Sequence, residues 1–203
     1  MGESGPVEQA AGKGVEWILD KLTEKWKLVA GILLIAGLGI AGFLAVEIGG
    51  ALKIIGTLIA LVIFALLMKF PEAFSSVGGT DVEMPLAVII AATQGFWVAL
   101  AFILTVSIIG SRLINEAPQY TVASIGIFSS AAFLTRFVPI NEGNVVVVAI
   151  LFIIVGFIMG APIYLSMGNP IQTLVLYCFV NIVWNYVFLS NFSHYFLPAL
   201  GGL

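Results

Sequence analysis

The sequence predicts an all-α, polytopic integral membrane protein: a bundle of about six transmembrane helices preceded by an amphipathic N-terminal helix at the membrane interface. Of the 203 residues, 61% are hydrophobic and 9% are charged, and the mean hydropathy is +1.14. A soluble domain carries about 25% charged residues. Apolar runs of about 20 residues, the length that crosses a bilayer core of roughly 30 Å, recur along the chain. The charged residues lie at the ends of these runs or between them, as the cost of inserting a charge requires.

Residues 1–27 form the first predicted unit and residues 28–203 the second. Between Val7 and Trp26, apolar residues recur at three- and four-residue spacing while charged residues occupy the other face. This pattern predicts an amphipathic helix on the cytoplasmic interface. Residues 1–27 hold five acids and four lysines, so we expect only weak attraction to anionic lipid, and both lipid anchoring and protein docking remain open.

The second unit divides into six predicted spans joined by short connections. They run from Leu28 to Val46, Ala51 to Lys69, Leu86 to Ile109, Gln119 to Val138, Val145 to Leu165 and Ile171 to Ser190. Acids and Pro85 are expected to begin the third span, and Asn169 followed by Pro170 is expected to cap the sixth.

Basic residues predict the orientation. If the N-terminus is cytoplasmic, six of the eight Lys and Arg residues lie on that side, Lys69 and Arg136 among them, against Lys53 and Arg112 on the other. We therefore predict a multi-pass protein of the cell membrane with both termini in the cytoplasm. This assignment places Lys69 and Arg112 on opposite faces of the membrane.

Polar residues inside the spans are the candidates for function, because hydrocarbon offers them no partners. On the third span, Gln94, Thr105 and Arg112 project to one side of a continuous helix. On the sixth, Tyr177, Asn181 and Asn185 follow four-residue spacing. The functional interpretation joins both sets into one substrate pocket between spans three and six, with Trp97 and Trp184 as stacking surfaces. Glu47, close to the apolar stretch of the first span, is the candidate coupling carboxylate.

A structural interpretation of the same residues also stands. Amides and hydroxyls commonly form interhelical hydrogen bonds, each worth about 0.6 to 2 kcal/mol, that fix helix register. Arg112 can simply extend to the interface, and Glu47 can mark a helix end beside Lys53. Small residues at four-residue spacing, Gly37 with Ala41 and Gly156 with Gly160, predict close helix packing and favour a homo-oligomer or contact with other membrane subunits.

Absent motifs narrow the function classes. Eight scattered basic residues and a net charge of −3 argue against nucleic-acid binding. The chain lacks the spacings of metalloprotease, serine hydrolase and phosphate-binding sites, and it has one cysteine and one histidine. We therefore expect no enzyme activity, no cofactor and no metal, with the lipid bilayer as the main partner.

Two functions remain. The first is a small transporter, channel or substrate-binding transport subunit that moves a small solute through the polar pocket. The alternative is a non-catalytic structural subunit of a larger membrane complex, packed through its glycine-rich helix faces.

Overall fold

The structure is a computed structural model that describes residues 50–69 and 81–203. Several predictions fall outside these ranges: the amphipathic segment 1–27, the first span with Gly37 and Ala41, and the carboxylate of Glu47. They stay predictions.

Six α-helices and one 3-10 turn make up the described residues. We number the helices in chain order: α1 is Ala51–Met68, α2 is Glu83–Gln94, α3 is Phe96–Ile114, α4 is Pro118–Leu134 with the 3-10 turn Thr135–Phe137 after it, α5 is Val145–Ser166 and α6 is Ile171–Ala199. Within these ranges there is no strand, and four helices, α1, α3, α5 and α6, are long and apolar enough to cross a membrane. The all-helical class is thus confirmed for this part of the chain, and its four long apolar helices are consistent with a membrane-embedded protein.

The third predicted span is not one helix, and this prediction was wrong. It is divided at Gly95 into α2 and α3. Gly95 has φ 87° and ψ 165°, a backbone conformation that side chains with a Cβ disfavour and glycine adopts readily. An averaged hydropathy window cannot register this break, because both arms are apolar.

The two arms run antiparallel. Ser107 of α3 donates a hydrogen bond to Glu83 at the start of α2, and these residues lie 24 positions apart, symmetrically about Gly95. The pair α2 and α3 is therefore a helical hairpin with Gly95 at its tip. At 1.5 Å per residue, the 12 residues of α2 extend about 18 Å, well short of the roughly 30 Å hydrocarbon core.

The hairpin changes which charges share an end of the bundle. An added Cβ on Gly110, near the end of α3, would lie 2.8 Å from the Lys69 side chain, so Lys69 and Arg112 lie at the same end. The expectation that they lie on opposite faces was wrong, because it required a continuous third span. Arg136 lies at the other end, with its guanidinium 5.6 Å from the centre of the Phe96 ring beside the hairpin tip.

The short helix α2 forms the centre of the bundle. Every residue from Asp81 to Ala91 is buried, and α2 packs against α3, α4 and α5. A helix that is apolar all round is expected to be enclosed by other helices. On the outside, α1 packs on α6, where the rings of Phe64 and Phe188 stack with 4.9 Å between their centres.

The glycine strip of α5 is used inside the chain. Gly156 and Gly160 are both buried. A Cβ on Gly160 would lie 2.7 Å from Ile127 of α4, and one on Gly156 would collide with Met84 of α2. The close packing predicted from these residues is present, but the surface they occupy is covered by α2 and α4, so it does not offer an interface to another subunit.

The hairpin makes a topological prediction. Ala51 and Glu142 are exposed at the end that carries the Gly95 tip, and Ser166 is exposed at the other end. In a background with Cys178→Ala, we expect Ala51→Cys and Glu142→Cys to react with a membrane-impermeant maleimide from the same side of sealed vesicles, and Ser166→Cys from the opposite side. A continuous third span would put Ala51 and Glu142 on opposite sides, so labelling in that pattern would contradict the hairpin.

A second prediction concerns the backbone at Gly95. An added Cβ at Gly95 meets no atom within 4 Å, and the same holds for Gly126 in the middle of α4. The two glycines therefore differ in backbone conformation and not in the space available for a Cβ. Gly95→Ala should lower stability by about 1–3 kcal/mol, whereas Gly126→Ala should leave it unchanged or raise it by up to ~1 kcal/mol. Thermal unfolding of both variants in detergent, followed by tryptophan fluorescence, measures this difference; equal midpoints would show that the break does not depend on Gly95.

Candidate functional site

Three charged side chains meet where α1 ends and α2 begins. Lys69 Nζ lies 2.8 Å from Glu83 Oε2 and 3.4 Å from Asp81 Oδ2. The side chains of Lys69, Glu83 and Asp81 are 8%, 0% and 7% exposed. Ser107 Oγ donates to the second carboxylate oxygen of Glu83. Two carboxylates thus share one ammonium group in a nearly dry setting, where an uncompensated charge is costly.

Local sequence explains how these groups reach one another. Asp81 Oδ1 accepts a hydrogen bond of 2.8 Å from the backbone N–H of Glu83, which satisfies one of the free donors in the first turn of α2. The negative side chain also lies at the positive end of the helix dipole. The aliphatic stem of Lys69 passes over Gly110. A larger residue at that position of α3 would occupy the path through which Lys69 reaches the carboxylates.

Two asparagines of α6 bind the same backbone atom. Asn181 Nδ2 and Asn185 Nδ2 donate to the carbonyl oxygen of Asp81 at 3.1 and 2.8 Å. Asn185 Nδ2 also lies 3.0 Å from Asn181 Oδ1. Both residues are buried, and Asn185 Oδ1 has no hydrogen-bond partner among the described residues. These amides attach α6 to the start of α2, which is the interhelical role that the structural interpretation assigned to them.

A cavity of about 330 Å³ lies beside this cluster, bounded by α4, α5, α6 and the connection between α3 and α4. This volume is at the lower end of the roughly 300–1,000 Å³ of ligand pockets. Its polar wall consists of the charged residues Lys69, Asp81 and Glu116, the tyrosines Tyr120, Tyr164 and Tyr177, and the residues Ser124, Asn169, Thr173 and Asn181. Its inner wall is apolar and includes Met84, Ile127 and Gly156.

Two tight turns between helices position the residues at the outer edge of the cavity. Asn115 ends α3 in the left-handed conformation with φ 56°, and the Glu116 N–H bonds the carbonyl of Ser111 at 2.8 Å, which is a common way to end a helix. Between α5 and α6, Gly168 has φ 89°. Asn169 Nδ2 then donates to the Tyr164 carbonyl at 3.1 Å and to the Tyr120 hydroxyl at 3.2 Å. The expected helix-capping role of Asn169 was wrong, because the residue at the N-cap of α6 is Pro170.

Glu116 lies outside the membrane-spanning helices, in the connection between α3 and α4. Burial raises the pKa of its carboxyl; the positive charge of Lys69 opposes this effect and the negative charge of Asp81 adds to it. Its hydrogen bond from the Thr121 hydroxyl is long, at 3.4 Å. The ionised carboxylate of Glu116 is therefore only partly compensated by the protein.

The structure brings together some of the predicted site residues. Tyr177 and Asn181 line the cavity, and Asn185 lies one turn deeper. Trp184 is half-buried, and its Nε1 is buried without a hydrogen-bond partner among the described residues. It does not line the cavity.

Four other predicted site residues lie away from these groups. Gln94 is at the tip of the hairpin, where its amide donates to the Leu200 carbonyl. Trp97 is 72% exposed on the outer surface. Thr105 and Arg112 are exposed on α3, and the Thr105 hydroxyl bonds the Ala101 carbonyl at 2.8 Å. The expected pocket face was wrong because Gln94 precedes the break at Gly95 and the other residues follow it.

The sequence-based reasoning missed the charged half of the site. Lys69 ends the second predicted span, and Asp81, Glu83 and Glu116 lie in predicted connections, where charges are expected to meet water. A signal was present in Asp81-Val-Glu83-Met-Pro85, in which two acids precede an apolar run. From the sequence alone, these acids predict only the start of a helix. Among the described residues, no group of three or more His, Cys, Asp and Glu side chains lies close enough to hold a metal ion.

The ion cluster makes a stability prediction. Lys69→Met leaves two buried carboxylates without their cation, and breaking such a pair costs about 3–5 kcal/mol. Glu83→Gln removes one of two competing negative charges and keeps a partner for Ser107, so its cost should be clearly smaller. Thermal unfolding in detergent compares the two, with Lys53→Met at the opposite end of α1 as the control. Equal losses for Lys69→Met and Lys53→Met would show that the cluster does not contribute to stability.

No family model, no curated protein and no solved structure matches this chain. The function is therefore inferred from the cavity and the charges beside it.

Proposed function

We propose that this chain binds a small solute in the polar cavity and moves it across the membrane, as a small transporter, channel or substrate-binding transport subunit. The observation that carries the proposal is the cavity of about 330 Å³ whose wall includes Lys69, Asp81, Glu116 and Asn181. Charged and amide groups at such a place are expensive inside a membrane protein, and ionisable residues there commonly mark a pathway for substrate or ions.

The interrupted third span supports the same function. Transporters often bind solutes next to discontinuous helices. Here Asp81, two residues before α2, and Met84, in the first turn of α2, belong to the cavity wall. The short helix therefore begins at the solute site and ends at the hairpin tip, at the opposite end of the bundle.

The closed inner wall of the cavity bears on whether the protein is a carrier, a substrate-binding subunit or an open channel. Met84, Ile127 and Phe128 close the cavity towards the hairpin tip, and α2 beyond them is buried on all sides up to Ala91. An open pore would need a path through this packed region. A carrier or a substrate-binding subunit is the form that this arrangement favours.

The alternative function is a non-catalytic subunit of a larger membrane complex. It relied in part on glycine strips that would pack against other proteins. Gly156 and Gly160 contact α2 and α4 of the same chain, so that support is removed for this strip. A polar cavity beside buried charges also has no evident use in a purely structural subunit, and we therefore prefer transport.

The test of this proposal compares solute binding and uptake in matched variants. Purified protein would be screened by thermal shift against amines, amino acids, carboxylates and polyols, and a stabilising solute would be followed in radiolabelled form into proteoliposomes. Cys178→Phe should abolish binding and uptake by filling the cavity that Cys178 lines. Asn191→Leu should retain both, because Asn191 is exposed on the same helix and, among the described residues, bonds the Val187 carbonyl.

Two results would contradict the proposal. Uptake that is unchanged in a folded Cys178→Phe variant would place the solute path elsewhere. Wild-type protein that binds and transports no solute, and that purifies in mild detergent as a stoichiometric complex with other proteins, would favour the structural subunit.

A further inference from the structure

The charges around the cavity do not balance. Lys69, Asp81 and Glu116 line it, and Glu83 lies directly behind Lys69. When all four groups are ionised, one positive charge stands against three negative charges. Among the described residues, Arg112 is the other cation at this end; it is exposed on α3 and does not line the cavity. The described residues around the cavity therefore present a net negative charge to a solute that enters.

The ammonium of Lys69 is directed towards the protein. It lies 2.8 Å from Glu83 and 3.4 Å from Asp81, and its stem is held over Gly110. To bind an anionic solute, this ammonium would have to weaken an ion pair with a side chain that is fully buried. Such a step would leave an uncompensated carboxylate in a nearly dry site, which is costly.

Glu116 is the carboxylate of the cavity wall that has no ion-pair partner among the described residues. It is partly buried, the charge of Lys69 favours its ionised form while the charge of Asp81 disfavours it, and its hydroxyl partner is distant at 3.4 Å. A positive group placed in the cavity would compensate this charge directly. Interactions between opposite charges are strengthened where water is partly excluded.

Aromatic rings supply a second attraction for positive charge. Tyr120 and Tyr164 stack with 6.0 Å between ring centres and an interplanar angle of 19°, and Tyr177 and Phe157 also line the cavity. Faces of aromatic rings attract cations, and quaternary ammonium groups are recognised in this way. Metal ions prefer oxygen cages of defined geometry, whereas a wall of rings and a few carboxylates suits an organic cation.

We propose that the cavity binds a small organic cation, an amine or a quaternary ammonium compound of about the size of choline, through Glu116, Asp81 and the tyrosines. This assignment rests on the proposed function and names its substrate class. The carboxylates supply the charge selectivity and the rings supply contact with the alkyl groups. The cavity volume of about 330 Å³ equals that of roughly ten waters at about 30 Å³ each, which accommodates such a cation with some of its hydration.

The experiment uses three probes of one shape and different charge. They are choline, the alcohol in which carbon replaces its nitrogen, and the carboxylate in which the branched alkyl group of that alcohol is kept. Binding to the detergent-purified full chain would be measured by thermal shift and calorimetry at fixed ionic strength. We expect choline to bind at least tenfold more tightly than the alcohol, a difference of about 1.4 kcal/mol, and the carboxylate not to bind.

Variants test the assigned residues. Glu116→Gln should weaken choline binding at least tenfold and leave binding of the alcohol unchanged, because only the charge is removed. Glu142→Gln, an exposed acid at the opposite end of the bundle, should bind like the wild type. If Glu116→Gln fails to fold, Tyr177→Leu provides the second test, since loss of a ring should weaken choline binding more than binding of the alcohol.

The outcomes separate this inference from the proposed function. Equal binding of choline and the alcohol, or preferential binding of the carboxylate, would overturn the cation assignment and leave a solute cavity in place. Absence of binding by all three probes would also overturn it, and the wider solute screen would then decide the proposed function by itself.

Discussion

The burial of two carboxylates around one lysine is the constraint on which the described structure depends. Asp81 and Glu83 are drawn into the bundle at the start of α2, and Lys69 follows them from the end of α1. The neighbouring residues complete this arrangement, because Ser107 satisfies Glu83, Gly110 leaves space for the lysine stem, and the asparagines of α6 satisfy the Asp81 carbonyl. Removal of one partner from such a network costs far more than a surface ion pair contributes. The positions of four helices are therefore linked to these three charges.

The break at Gly95 is what makes this burial geometrically consistent. A continuous helix through residues 83–114 would carry Glu83 and Ser107 apart by about 36 Å at 1.5 Å per residue, and no hydrogen bond could join them. The hairpin instead returns α3 alongside α2, so that Ser107 and Gly110 reach the level of the cluster. Folding back also leaves α2 shorter than a full crossing. The cavity lies beside the start of this short helix, and its wall includes Asp81 and Met84.

Hydropathy predicted the positions of helices well and their connections poorly. The starts of α1, α5 and α6 at Ala51, Val145 and Ile171 agree with the predicted spans. The break escaped prediction because one glycine within an apolar run is equally compatible with a helix interior, and the choice is made by long-range contacts such as Glu83 with Ser107. Two of the three residues of the polar stripe on α6 lie at the site, since Tyr177 and Asn181 line the cavity. The charged residues of the site were assigned to span ends and loops. Hydropathy averaged along the sequence cannot distinguish a solvated charge from one that pairs with a lysine on another helix.

Asp81 connects the cluster with the cavity, and this connection has an energetic consequence. Its carboxylate contacts Lys69 and the first N–H of α2, its carbonyl accepts from Asn181 and Asn185, and its side chain forms part of the cavity wall. Any occupant that interacts with this carboxylate acts on the same atoms that hold α1, α2 and α6 together. The binding free energy of such an occupant is then coupled to the packing of these three helices, and by linkage each influences the other. A rigid pocket would lack this property; here a residue of the cavity wall is also the residue at which three helices meet.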